Sequence, residues 1–193
     1  YVLVTPGLLK HLEPEELDAV IAHEIGHVKK HHLLFYLFFF AGYLVLTFTV
    51  MDLLVYAAVY AEAAWGGFGN TGNHQAAIAS IGFSISMIGL FLVYFRYLFG
   101  YFMRNFERQA DLFACSMMNT AGPLISTFEK ITRTSGLSPN RPNWHHFSIA
   151  ERIGYLKKAE ADPRLMDRHH AKIRKSMAAY LVLLSLAGYV GWE

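Results

Sequence analysis

Leu17-Asp18-Ala19-Val20-Ile21-Ala22-His23-Glu24-Ile25-Gly26-His27-Val28-Lys29-Lys30-His31-His32 runs straight into an apolar stretch over residues 33–60. Leu17, Val20, Ile21 and Ile25 recur at helical spacing, and Pro14 ahead of them suits a first helical position. Glu13, Glu15, Glu16 and Asp18 put negative charge at the positive end of the helix dipole. Residues 33–60 carry one charge, Asp52, and outrun the roughly 20 apolar residues needed to cross a bilayer. A polar, histidine-bearing helix is therefore expected to abut a membrane span.

Working outward, residues 62–75 are rich in Gly and Asn and read as a loop, and residues 76–95 form a second charge-free run that ends near Arg96. Three helices are expected after it: one from Arg104 to about Asn119, one around Leu124, Phe128 and Ile131, and one opening at Ser148. Ser148 and Glu151 form a capping box, and Ile149, Ile153 and Leu156 supply an apolar face. Residues 135–143 connect the last two. A third apolar run, 177–192, follows a basic cluster of His169, His170, Lys172, Arg174 and Lys175. It reads as a third span cut short or as an interfacial helix. Residues 2–5 read as a short strand and Pro6-Gly7 as a turn.

Composition agrees with a chain partly in lipid, since 54% of its 193 residues are hydrophobic and its charges cluster outside the apolar runs. A net charge of +2, with Lys and Arg flanking those runs, argues against nucleic-acid binding. Cys115 is the single cysteine, which excludes a disulfide framework and a thiolate metal cluster. The opening Tyr1-Val2-Leu3-Val4-Thr5 has no Met and no signal-peptide pattern, as expected of a segment of a longer polypeptide. Lys29 and Lys30 precede the first span, Arg96 and Arg104 follow the second, and residues 61–75 hold no Lys or Arg. By the positive-inside rule, the polar segments face the cytoplasm.

His23 and His27 lie four residues apart, about one helical turn, so both rings point the same way and can share one zinc ion. Glu24 lies on the adjoining part of that face, where it can act as general base toward a water whose pKa zinc lowers to about 7. A catalytic zinc needs a third protein ligand. Two intervening spans form a hairpin that returns the chain to the side it left, and the first helix after it carries Glu107 and Asp111 one turn apart. Glu107 is the expected ligand. Asp111 is the expected acceptor for a ring N–H of a zinc-bound histidine.

These residues resemble the membrane zinc metallopeptidases that include HtpX and the type I CAAX prenyl protease. The resemblance covers nearly the whole chain: Thr5-Pro6-Gly7-Leu8-Leu9, the 17–27 helix, both spans, Glu107 to Asp111 matching the family's E-x-x-x-D element, and His146-Phe147-Ser148-Ile149-Ala150-Glu151-Arg152-Ile153 matching its T-H-P-S-x-x-x-R-I element. His145 stands where that family has Thr and Phe147 where it has Pro, which leaves the register between His145 and His146 open. By position, the resemblance implies that His146 stabilises the oxyanion and that Arg152 supports the site. It also implies one Zn²⁺ per chain, bound by His23, His27 and Glu107, and a substrate strand added along a sheet edge near residues 2–4.

The expected fold is mainly α, a zincin-like catalytic unit with integral transmembrane helices. Residues 1–32 and 101–175 form the two parts of the catalytic domain, 33–100 the transmembrane hairpin (spans about 33–60 and 76–96), and 176–193 a third span or interfacial helix. The expected activity is hydrolysis of peptide bonds in membrane or membrane-proximal polypeptides, in quality control at a bacterial inner membrane. Processing of one defined lipidated or peptide substrate, and a catalytically inactive zinc-binding scaffold, are the rival readings. His31 and His32 are expected to cap the first span at the interface, and His169 and His170 to meet lipid headgroups. Phe35, Phe38, Phe39 and Phe40 are expected to face lipid.

Overall fold

The computed structural model describes residues 10–65, 72–136, 138–141, 144 and 146–191, and every regular element among them is helical. In chain order these are α1 (Pro14–Lys29), α2 (His32–Trp65), α3 (Gly72–Val93), a π-helical segment (Tyr94–Phe99), α4 (Gly100–Met118), α5 (Gly122–Ser135), α6 (Ile149–Ala161) and α7 (Arg164–Val190). The fold is mainly α, with three helices long and apolar enough to cross a membrane, within His32–Tyr60, Ser80–Met118 and Arg164–Val190. The expected strand at residues 2–5, the sheet edge it implied and His145 lie outside the described residues.

Two compact units divide the chain, one of Tyr1–Tyr36 and Gly100–Lys175, the other of Leu37–Phe99 and Ser176–Glu193. In the first, α1 packs on α4 and α5, and α6 packs on the same two helices. Ala19, Ala22, Ala114, Ala121, Leu124, Phe128 and Leu156 form its core. Small residues let α1 and α4 come close: a Cβ placed on Gly26 would sit 3.1 Å from the Ala110 Cα and 3.2 Å from the Phe113 Cβ. That approach sets the histidine face of α1 against the carboxylate face of α4.

Polar ties lock α1 in place. Glu16 is buried, accepts from the Glu13 backbone N–H at 2.8 Å, and reaches Ser126 Oγ at 2.6 Å and Lys130 Nζ at 2.7 Å on α5. Burial alone would raise its pKa. The hydrogen bonds from Lys130, Ser126 and Glu13 win and hold it at about 2. Ser148 Oγ accepts from the Glu151 backbone N–H at 3.2 Å while the Glu151 carboxylate accepts from the Ser148 backbone N–H at 3.0 Å, the reciprocal cap expected for α6.

The second unit is built from the apolar helices. Tyr94 Oη donates to the Phe39 carbonyl at 2.6 Å and lies 2.9 Å from Tyr180 Oη, and Thr49 Oγ1 lies 3.1 Å from the Ala187 carbonyl. Phe39 is wholly buried, against the expectation of lipid exposure, because its ring packs on Tyr180 at 4.7 Å.

Several boundaries differ from the sequence reading. The 62–75 loop is helical through Trp65 and again from Gly72. Ala61, Ala63 and Ala64 are strong helix formers that outweigh the nearby glycines. No new helix starts at Arg104: the π-helical segment Tyr94–Phe99 follows α3, and α4 begins at Gly100. Residues 177–190 of the third apolar run are the second half of a 27-residue helix whose first half bears the basic cluster.

Candidate active site

A cavity of about 450 Å³ in the first unit is lined by His23, Glu24, His27, Glu107, His146 and Arg152 on its polar side and by Val20, Tyr36, Met103, Leu124, Phe128 and Ile131 on its apolar side. The i,i+4 spacing on α1 brings His23 Nε2 and His27 Nε2 to 3.2 Å of each other. From α4, Glu107 Oε1 lies 3.4 Å from His27 Nε2, and Glu107 Oε2 lies 3.7 Å from His23 Nε2. One donor atom from each of the three residues falls within 4.8 Å of the others.

This set fits a metal ion on its chemistry. Two imidazole nitrogens and a carboxylate turned toward one point repel unless a cation or a proton lies between them. With zinc bonds of about 2.0–2.2 Å, tetrahedral ligands are separated by roughly 3.3–3.6 Å, close to the spacing seen here. His23 Nδ1 lies 3.0 Å from Asp111 Oδ1, and the tautomer with its proton on Nδ1, facing that carboxylate, leaves the Nε2 lone pair toward Glu107 and His27.

Asp111 is itself clamped. Arg152 Nε donates to Asp111 Oδ2 at 2.9 Å and Nη2 to Oδ1 at 2.6 Å, a bidentate pair with Asp111 only 1% exposed. Arg152 Nη2 also lies 3.5 Å from Glu107 Oε2, and its guanidinium stacks 4.3 Å from the Phe128 ring centroid. Burial disfavours the guanidinium charge. Asp111 and Glu107 more than offset this and hold its pKa above the ordinary value. His27 goes the other way: burial, only partly opposed by Glu107, lowers its pKa and favours the neutral ring.

His146 enters the same cavity from the segment before α6, with Nδ1 3.1 Å from Glu107 Oε2. Its neighbour Phe147 lies under Arg108, whose guanidinium carbon is 3.5 Å from the ring centroid, and Arg104 donates to the Trp144 carbonyl at 2.7 Å. The aromatic ring where the resembled family has Pro thus gives α4 a cationic grip on the His146 segment. Glu24 is exposed in the cavity, one residue from His23.

Of the histidines expected at the lipid interface, His32 and His169 are buried and His170 is half-buried against Gln109. His32 is 0% exposed, stacks on Phe106 (4.4 Å between centroids, 6° between planes), and places Nδ1 3.0 Å from His27 Nδ1 and Nε2 3.2 Å from Gln109 Oε1. It gets there because His31 takes a left-handed backbone (φ 56°) that ends α1 and turns the chain back. His169 is buried, with Nε2 3.1 Å from the Asn105 carbonyl and Nδ1 3.2 Å from Tyr155 Oη. His170 Nδ1 meets Gln109 Nε2 at 3.0 Å. Sequence reasoning missed His32 and Gln109. The polar run Lys29-Lys30-His31-His32 between helix and span was the only available signal.

Comparison with known proteins agrees with this geometry. The family model for peptidase family M48 matches residues 1–171. The chain is 28% identical over 142 residues to a protein named Protease HtpX homolog from Albidiferax ferrireducens, covering 72% of this chain and 45% of that protein. It is 31% identical over 123 residues to another Protease HtpX homolog, from Aeropyrum pernix, covering 64% of this chain and 35% of that one. The matched region thus spans less than half the length of these curated relatives. No solved structure matches the chain significantly. With two helical histidines and a carboxylate gathered in one cavity and the family match running through all of them, the chain belongs to peptidase family M48.

Proposed function

We propose that this chain is the catalytic core of a zinc-dependent membrane endopeptidase that cuts membrane or membrane-proximal polypeptides. The observation that carries the reading is the convergence of His23 Nε2, His27 Nε2 and the Glu107 carboxylate beside an exposed glutamate, Glu24. His23, His27 and Glu107 hold one Zn²⁺. When bound, the ion supplies Lewis acidity toward water and a peptide carbonyl.

The chain's own groups do the rest. Glu24 takes the proton from the attacking water and delivers it to the leaving amine. Asp111 orients His23 through its Nδ1–H, and Arg152 holds Asp111 in place. His146 donates toward the oxygen on which negative charge builds as water adds to the carbonyl. The helix bearing two of the ligands stops within five residues of an apolar run, which supports a substrate presented at the bilayer. The Lys and Arg placement supports a cytoplasmic catalytic side, and the relatives named Protease HtpX homolog support a protease; a quality-control role at a bacterial inner membrane is part of the proposal.

Two variants test this. Glu24→Gln is expected to keep stoichiometric zinc by elemental analysis and to stop cleaving an unstructured membrane-tethered substrate, and unchanged cleavage would remove Glu24 from the reaction. Glu107→Ala is expected to lose zinc. Full zinc in that variant would remove Glu107 from the ligand set.

A further inference from the structure

The two histidines of the cage are oriented by different partners. His23 has a carboxylate against its Nδ1, the common arrangement for a metal-binding imidazole. His27 has another imidazole there, the wholly buried His32 at 3.0 Å. An imidazole accepts only at its unprotonated nitrogen, so the proton position on His32 determines what His27 can do.

We infer that His32 and Gln109 are positioning residues that select the metal-binding tautomer of His27 through a directional hydrogen-bond chain ending at His170. The inference rests on the ligand set proposed above. Gln109 Oε1 can only accept, so the 3.2 Å contact requires His32 to carry its proton on Nε2. His32 Nδ1 is then an acceptor, and the 3.0 Å contact requires His27 to carry its proton on Nδ1. That leaves a lone pair on His27 Nε2, the atom 3.2 Å from His23 Nε2 and 3.4 Å from Glu107 Oε1.

The amide end of Gln109 closes the chain: Nε2 can only donate, and it lies 3.0 Å from His170 Nδ1, which accepts. Turning the amide over would reverse every step and put a proton on His27 Nε2, inside the cage. Packing holds the ring that reads the amide. His32 lies parallel to Phe106 on the same helix as Glu107 and Gln109, so its plane is set by the helix that supplies the third ligand.

Zn²⁺ affinity of the full chain in detergent, by competition with a chromophoric chelator, tests this, with the Co²⁺ visible spectrum as a second readout. His32→Leu removes the acceptor and is expected to weaken Zn²⁺ binding about 10- to 100-fold and to shift the Co²⁺ bands. His32→Asn returns an acceptor oxygen near the Nδ1 position and is expected to recover most of the loss. Gln109→Leu leaves the imidazole but frees its tautomer, with an expected weakening of about 10-fold or less. Wild-type affinity in both Leu variants overturns the inference, as does an Asn variant no better than His32→Leu, which would mark His32 as packing alone. His27→Ala separates the two levels: if it too binds Zn²⁺ like wild type, the ligand set falls, whereas if it alone loses zinc only the hydrogen-bond chain does.

Discussion

The two units of the chain arrange polarity in opposite senses. In the first, the interior holds ionisable groups, among them Glu16, His23, Glu107, Asp111 and His169, each with a charged or hydrogen-bonding neighbour. In the second, the apolar side chains lie outside, with Leu37, Phe48, Ile85 and Leu183 each more than 60% exposed, and the buried Thr49 and Tyr94 set their hydroxyls against backbone carbonyls. A membrane accounts for the second pattern, since lipid receives the side chains that water would expel. A site accounts for most of the first. Burying charge costs several kcal/mol per ion unless each is paired: His23, Glu107 and Arg152 are paired at the cavity, with Asp111 clamped by Arg152, while Glu16 is paired with Lys130 away from it.

That contrast predicts where a single substitution hurts most. Arg152→Met leaves Asp111 buried without its bidentate partner and removes a cation 3.5 Å from Glu107, so the full chain in detergent is expected to lose about 3–5 kcal/mol in chemical unfolding. A loss under about 1 kcal/mol would mean that the charges of the first unit are not interdependent. Glu16 is the next largest, and its signature is a pH window. Its carboxyl is held at about 2 against an ordinary 4.5, so its stabilisation is complete above about pH 4.5 and is lost as pH falls through 2. With charge-assisted hydrogen bonds of about 1.5–3 kcal/mol at stake, wild type and Glu16→Gln should differ at pH 6 and converge toward pH 2. A difference constant across that range would dissociate Glu16 from the Lys130 and Ser126 contacts.

The same contrast explains what could be read in advance. His23 and His27 are legible because a helix places i and i+4 on one face, and Glu107 because an even number of spans returns the chain to its starting side. The mainly helical architecture followed from the length of the apolar runs. His32 was illegible for a geometric reason. Five residues after His27 it would leave the ligand face of a continuing helix, and only the left-handed backbone at His31, a residue with no Cβ-free excuse for that conformation, brings it back. Gln109 hid between Glu107 and Asp111, two residues from each and so off their shared face, until a partner from α2 met it. The grip of Arg108 on Phe147 joins α4 to the segment just ahead of α6, across about 40 residues of sequence that no local pattern links.

The smallest expected effect belongs to the second unit and tests the contrast from its other side. Thr49 is buried on α2, and its Oγ1 lies 3.0 Å from the Val45 carbonyl and 3.1 Å from the Ala187 carbonyl. Neither acceptor depends on it. Val45 keeps the helical backbone N–H bond of α2, and the Ala187 carbonyl accepts from the Gly191 backbone N–H at 3.0 Å. Thr49→Val keeps the side-chain shape, strands no donor or acceptor, and should cost about 0.6 kcal/mol, the typical worth of a hydrogen bond between helices in lipid. A loss above about 2 kcal/mol in the same unfolding assay would show that Thr49 ties α2 to α7 as firmly as Arg152 ties α6 to α4. Buried polarity would then no longer distinguish the unit that holds the site from the unit that holds the membrane.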